Sequence, residues 1–147
     1  MARRLCLITG ASAGIGAEFA RQYAALGWDL ALTARRTDRL DALAQELETA
    51  HGISAITIAQ DLAVPGAVDA ILSTLERKER HVDALVNNAG YGLPGTFFNT
   101  SWDEQAAVMR VLYTAPVELA HKVLPGMAER RYGRIINVAS LAGYAAG

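Results

Sequence analysis

The stretch Thr9-Gly10-Ala11-Ser12-Ala13-Gly14-Ile15-Gly16 decides the fold of this chain. It follows an apolar run at residues 5–8 and opens an amphipathic segment. We expect Gly10 to end a strand, Gly14 to leave room for a ligand against the backbone, and Gly16 to let the next helix pack closely on the strand. The free N–H groups and the dipole at the start of that helix favour an anion, so the stretch predicts a phosphate-binding turn. An ordinary tight strand-to-helix turn is the alternative.

The composition is typical of a soluble globular protein. The chain has 147 residues, of which 52% are hydrophobic and 20% charged, and its formal net charge is −1. We therefore expect one domain over residues 1–147 and no nucleic acid as a partner. No apolar run approaches the length of a membrane helix, so the sequence predicts a cytoplasmic protein without membrane association. The single cysteine, Cys6, is expected in the core, and no metal site is predicted.

Apolar runs and helical faces alternate along the chain. Strands are predicted over residues 5–9, 28–34, 53–59, 84–86 and 134–138. Strands that alternate with helices in this way indicate a parallel sheet with right-handed crossovers.

The helices between these strands have predicted inward faces, caps and breaks. In the first helix the inward face is expected to comprise Ile15, Phe19, Ala20, Tyr23 and Leu26. Thr37 is expected to cap the second helix, and Pro65 to lie in the first turn of the third. A capping box at Ser101 predicts a long helix that continues to about Arg131 and is interrupted at Pro116.

Two motifs together resemble those of a known family. Residues 9–16 have the spacing T-G-x-x-x-G-x-G, and Asn87-Asn88-Ala89-Gly90 follows the fourth predicted strand. The chain in this respect resembles the short-chain dehydrogenases/reductases. The resemblance implies a Rossmann-type, doubly wound α/β fold with strand order 3-2-1-4-5, and a nicotinamide dinucleotide cofactor. It covers essentially this whole sequence but only the amino-terminal part of a typical member, so a fold truncated after the fifth strand is expected.

The resemblance also implies a cofactor groove along the carboxyl ends of the strands. Its expected residues are Gly10, Ser12, Ala13, Gly14, Ile15, Gly16, Arg35, Arg36, Asp61, Leu62, Asn88, Ala89, Gly90 and Val111. Asp61 matches an acidic residue that contacts the adenine ring, and a helix cap is the alternative role. Ser140 matches the catalytic serine, whose hydroxyl would hold a substrate carbonyl while charge develops on oxygen. A serine that merely ends a strand is the alternative.

The arginine pair after the second strand favours NADP over NAD. NAD-binding proteins place an acidic residue there, whereas a guanidinium would form charge-assisted hydrogen bonds with a 2′-phosphate. Arg35 is the first candidate for this contact with the 2′-phosphate, and Arg36 is the second. Ala13 stands where many NADP-dependent members have a basic residue, and a solvated arginine turn is the alternative interpretation. The predicted cofactor is therefore NADP, with NAD as the weaker alternative.

Two departures from the family pattern bear on catalysis. The family's Y-x-x-x-K pair does not occur in these 147 residues, since Tyr144 lies only four residues after Ser140 and no lysine follows it. Leu112 stands at the position of a helix asparagine, and its backbone carbonyl is expected to be free because Pro116 has no N–H to bond it.

These observations predict an NADP-dependent oxidoreductase for a small carbonyl or alcohol substrate, with residues 1–147 inactive by themselves. A dinucleotide-binding module without catalysis is the alternative. We also expect a homo-oligomer through the long helix, and association of the isolated chain through the unpaired edge of the fifth strand.

Overall fold

The computed structural model describes residues 3–144, whose five strands form one parallel sheet. The strands are β1 (Leu5–Thr9), β2 (Asp29–Ala34), β3 (Ala55–Ala59), β4 (Ala84–Asn87) and β5 (Arg134–Asn137). Their order is β3-β2-β1-β4-β5, and every neighbouring pair is parallel. The predicted Rossmann-type fold and its strand order are thereby confirmed.

Helices cover both faces of the sheet. They are α1 (Gly14–Ala25), α2 (Thr37–His51), α3 (Ala67–Arg77), α4 (Trp102–Met109) and α5 (Ala115–Glu129). Single 3₁₀ turns lie at Phe97–Asn99 and Leu141–Gly143. Within residues 3–144, no helix combines the length and the apolar character that crossing a membrane requires.

The central strand β1 is buried on both sides, as its continuous apolar sequence predicts. Leu5 and Leu7 pack in the layer formed with α3 and α5, whereas Cys6 and Ile8 pack in the layer formed with α1 and α2. The predicted burial of Cys6 is thus observed, and burial raises the pKa of its thiol. The two layers fix the sheet, so the carboxyl ends of the strands meet along one edge.

Three local expectations were wrong. Ile15 and Leu26 are 61% and 74% exposed, because α1 instead packs its small residues on the sheet, namely Gly16, Ala17, Ala20 and Ala24. Thr37 does not cap α2 but is its first residue, and the N-cap position belongs to Arg36. Pro65 precedes α3, which begins two residues later at Ala67.

The predicted break in the long helix is a π-helical segment. Arg110–Thr114 forms this segment between α4 and α5, and Pro116 lies in the first turn of α5. A wider turn at this place accommodates a proline that cannot donate to a preceding carbonyl. The capping box is formed as predicted, since the Ser101 and Glu104 side chains each bond to the other's backbone N–H. The break brings Val111 and Leu112 to the carboxyl edge of the sheet.

Candidate functional site

The glycine turn after β1 is bonded to the turn after β4 through Thr9 and Asn88. The Thr9 hydroxyl accepts hydrogen bonds from the backbone N–H groups of Asn88 and Ala89, each at 3.0 Å, and donates to the Val86 carbonyl at 3.4 Å. The Asn88 carboxamide donates to the carbonyls of Thr9 and Gly10 at 3.1 and 3.3 Å. The two turns therefore form one connected surface.

Close packing at this junction requires glycine. A Cβ at Gly16 would clash with the Gly10 carbonyl oxygen and lie 2.5 Å from the Asn88 carboxamide nitrogen. Gly14 has φ +57°, which favours glycine, and open space on the side where a Cβ would project. Both glycines therefore have the environments that the sequence predicts for a tight turn with room beside it.

The start of α1 offers free hydrogen-bond donors. The N-cap residue is Ala13, which has no side-chain oxygen to accept from the first-turn N–H groups, and the first turn contains no acidic residue. These N–H groups and the positive end of the helix dipole suit an anion.

A cleft of about 730 Å³ lies along the carboxyl ends of the strands beside this helix start. It brings together all of the predicted site residues except Gly14 and Gly16. The predicted residues that line it are Gly10, Ser12, Ala13, Ile15, Arg35, Arg36, Asp61, Leu62, Asn88, Ala89, Gly90, Val111 and Ser140. On the side where a Cβ would project, Gly16 packs against the Gly10 carbonyl and the Asn88 carboxamide, so it supports the lining from beneath.

The two arginines give one end of the cleft its positive charge. Arg36 donates from Nη2 to the Ser12 hydroxyl at 3.3 Å, and the Arg35 guanidinium carbon lies 5.8 Å from the centroid of the Tyr91 ring. Neither arginine forms an ion pair with a carboxylate of residues 3–144. Both guanidinium charges are therefore available to a ligand.

Asp61 and Leu62 have local structural contacts as well as a place in the cleft. One Asp61 carboxylate oxygen accepts from the Ala63 backbone N–H at 2.9 Å, so it closes the turn after β3 rather than capping α3. Leu62 is buried and packs with the core layer under α3 and α5. The other carboxylate oxygen of Asp61 has no hydrogen-bond partner among residues 3–144, and the residue lines the cleft.

Ser140 lies beyond the end of β5. Its hydroxyl oxygen accepts from the Ala142 backbone N–H at 3.2 Å, which leaves the hydroxyl proton free to be donated. The preceding strand end is tied to β4 by a hydrogen bond of 2.9 Å from the Asn87 carboxamide to the Asn137 side-chain oxygen. Tyr144 is 92% exposed and does not line the cleft.

The cleft has the chemistry that an anionic dinucleotide needs. Its polar groups include the N–H donors at the start of α1, the two guanidinium groups, and the side chains of Ser12, Asp61, Asn88 and Ser140. Its other walls are backbone and apolar side chains, such as those of Ala89 and Val111, against which rings can pack. The donor set therefore fits a nicotinamide dinucleotide.

The comparison with known families agrees with this geometry. The sequence profile described as short chain dehydrogenase matches residues 4–147. This chain belongs to the short-chain dehydrogenase family.

Relatives and solved structures of the family are similar to this chain over most of its length. It is 39% identical over 142 residues to dehydrogenase/reductase SDR family member 7B of Bos taurus, a match that covers 93% of the chain and 44% of the relative. A short-chain dehydrogenase from Sphingobium yanoikuyae in complex with NADPH is 36% identical, with a TM-score of 0.89 over 97% of this chain and 56% of that one. The bulky-bulky ketone specific alcohol dehydrogenase from Comamonas testosteroni is 33% identical, with a TM-score of 0.90 over 99% of this chain and 58% of that one. The chain thus spans less than half the length of the first relative and somewhat more than half of these structures.

Nine residues that line the cleft were not among the predicted site residues, namely Thr33, Ala34, Gln60, Tyr91, Gly92, Leu112, Val138, Ala139 and Ala142. Most of them are neighbours of predicted residues in the turns after the strands. Tyr91 follows the turn after β4 and contacts Arg35. The strand order places the ends of β2 and β4 on either side of β1, but it does not specify which side chains meet there.

Proposed function

We propose that this chain binds NADP(H) in the cleft and takes part in hydride transfer between the nicotinamide and a carbonyl or alcohol substrate. One observation carries the proposal: the uncapped start of α1 and two guanidinium groups without carboxylate partners line the same cleft. The NADPH complex of the similar Sphingobium yanoikuyae enzyme supports the cofactor class. The L-sorbose reductase from Gluconobacter frateurii, 35% identical and complexed with NADPH and L-sorbose, supports it as well.

Each part of the cleft has a proposed role along the dinucleotide. The N–H groups of residues 14–16 bind the pyrophosphate, and Asp61 accepts a hydrogen bond from the adenine amino group. The surface of Asn88, Ala89 and Gly90, with Val111, packs against the cofactor between its adenosine and nicotinamide ends.

Preference for NADP over NAD is assigned to Arg35, with Arg36 second. A hydrogen bond to a charged group contributes about 1.5–3 kcal/mol, and exposed guanidinium groups belong at the lower end of that range. One such bond corresponds to about a tenfold difference in affinity. Arg36 is already bonded to Ser12, so the Arg35 guanidinium has more N–H donors to give.

Ser140 is the proposed group that holds the substrate. The bound cofactor supplies or accepts the hydride. The Ser140 hydroxyl donates to the substrate carbonyl oxygen, and its own oxygen stays fixed by the Ala142 N–H. No residue of this sequence supplies the Y-x-x-x-K pair, so we expect residues 1–147, prepared alone, to bind cofactor without turnover.

A dinucleotide-binding module without catalysis is the second candidate, because the cleft chemistry that fits the cofactor does not by itself require turnover. Ser140 distinguishes the two, because a hydroxyl placed for a carbonyl has no use in a protein that only binds the cofactor.

A second copy of the chain is the proposed partner. The outer face of α4 and α5 carries Trp102, Val117 and Leu124, which are 71%, 53% and 54% exposed. An apolar face of this kind on a helix is typical of an interface. β5 pairs only with β4 among the described residues, so a strand from a second copy could also pair with its other edge.

The test uses the full-length protein that carries this chain, titrated with NADP⁺ and NAD⁺. Arg35→Ala should weaken NADP⁺ binding about tenfold and leave NAD⁺ binding unchanged. Arg39→Ala is the charge-matched control, because Arg39 is exposed on α2 and does not line the cleft. Equal effects of the two variants would contradict the assignment.

Catalysis is tested with a panel of ketones and aldehydes. Ser140→Ala should lower kcat by about 10²-fold or more while cofactor binding is kept, which is the expected loss of an oxyanion-stabilising donor. Turnover that does not change in Ser140→Ala would contradict the role of Ser140, and the absence of any turnover in the full-length protein would favour the binding module.

A further inference from the structure

Arg35 and Tyr91 meet across the central strand of the sheet. Arg35 follows β2 and Tyr91 follows the turn after β4, and these two strands are separated by β1. The Arg35 guanidinium carbon lies 5.8 Å from the centroid of the Tyr91 ring, within the range of a cation–π contact. Both residues line the cleft, and Tyr91 is 37% exposed.

This contact orients a cation without consuming its donors. A carboxylate partner would occupy the N–H groups of a guanidinium and cancel its charge, whereas an aromatic ring attracts the cation through its π electrons. Arg35 has no carboxylate partner among residues 3–144, so its N–H groups stay available to an anion. An exposed arginine that is held in this way also loses less conformational entropy when a ligand binds.

The other arginine is held differently. Arg36 donates to the Ser12 hydroxyl at 3.3 Å, so one of its N–H groups is already bonded to the glycine turn. The ring contact therefore leaves the N–H groups of Arg35, a residue that lines the cleft, without a hydrogen-bond partner among residues 3–144.

We propose that Tyr91 is a positioning residue that sets the preference of this cleft for a 2′-phosphorylated dinucleotide, by holding the Arg35 guanidinium over its ring. The inference rests on the proposed function, because it assigns the 2′-phosphate to Arg35. It goes beyond that function by making cofactor choice depend on a residue of the turn after β4, which need not touch the phosphate.

A double-mutant cycle on the full-length protein tests the proposal, with dissociation constants for NADP⁺ and NAD⁺ measured by calorimetry. Tyr91→Leu should weaken NADP⁺ binding about two- to fivefold, the size of an exposed cation–π contact, and leave NAD⁺ binding unchanged. Tyr91→Phe keeps the ring and should bind both cofactors like the parent protein. In the Arg35→Ala background, Tyr91→Leu should have no further effect on either constant.

Each contrary outcome has a distinct meaning. If Arg35→Ala lowers NADP⁺ affinity and Tyr91→Leu does not, the positioning role is wrong while the proposed function stands. If Tyr91→Leu weakens both cofactors equally, or strengthens NADP⁺ binding, Tyr91 acts on the turn or competes for the arginine, and the proposal is overturned. If Arg35→Ala leaves the ratio of the two constants unchanged, the phosphate assignment in the proposed function fails first.

Discussion

Thr9→Val removes the hydroxyl that joins the two turns, at nearly constant side-chain volume. Thr9 is 2% exposed, and its oxygen accepts from the backbone N–H groups of Asn88 and Ala89 at 3.0 Å each. Valine offers no acceptor, so both N–H groups lose their partner at once.

The expected cost follows from those two donors. A buried donor left without a partner costs about 1–3 kcal/mol. Asn88 and Ala89 are half-buried, so water reaches the turn in part and each donor belongs in the lower half of that range. We expect Thr9→Val to lower the free energy of unfolding by about 2–4 kcal/mol. Thr9→Ser keeps the oxygen and removes one methyl group, for which about 1 kcal/mol is expected.

Urea unfolding of the parent protein, Thr9→Val and Thr9→Ser measures the difference, and NADP⁺ titration of the same samples measures the cleft. Thr9→Val should be the less stable variant and the weaker binder, because Ala89 lines the cleft and depends on this bond for its position. Equal stability and affinity of the two variants would show that the hydroxyl does not hold the turns together.

Two further predictions concern charged groups away from the cleft. Asp29→Asn breaks a largely buried ion pair with Arg80 of 3.0 Å and should lower the free energy of unfolding by about 2–3 kcal/mol. Arg21→Gln breaks an exposed pair with Glu46 and should lower it by less than about 1 kcal/mol, so similar losses in urea unfolding would contradict this ranking. Hydrogen bonds from Ser101, the N-cap residue of α4, hold the pKa of the Glu104 carboxyl below its usual value. The contribution of Glu104 to folding stability is therefore complete above its pKa in the unfolded chain, and it is lost as pH falls through its pKa in the folded protein. The difference in free energy of unfolding between the parent protein and Glu104→Ala should therefore shrink as the pH is lowered. A difference that stays constant as the Glu104 carboxyl is protonated would contradict a stabilising capping box.

Much of the fold could be predicted because its signals are local. All five residues of β1 are buried, which matches an apolar run bounded by glycine, and the glycine turn itself determines how a strand joins a helix. The face of α1 could not be read from hydrophobicity alone. Close packing on the sheet selects small residues such as Ala20 and Ala24, which leaves the larger Ile15 and Leu26 outside.

The site could be predicted as a set of positions but not as a set of contacts. Strand ends in a parallel sheet share one edge, so residues as distant in sequence as Ser12 and Ser140 were expected in one groove, and they line one cleft. Side-chain partners depend on rotamers that no sequence pattern specifies. The pairing of Arg35 with Tyr91 and of Arg36 with Ser12 is of this kind.

A crystal structure of the full-length protein with NADP⁺ tests the central claim most directly. We expect the pyrophosphate against the N–H groups of residues 14–16, and the 2′-phosphate within hydrogen-bond distance of the Arg35 guanidinium. A dinucleotide bound outside this cleft, or a 2′-phosphate beyond the reach of both Arg35 and Arg36, would contradict it.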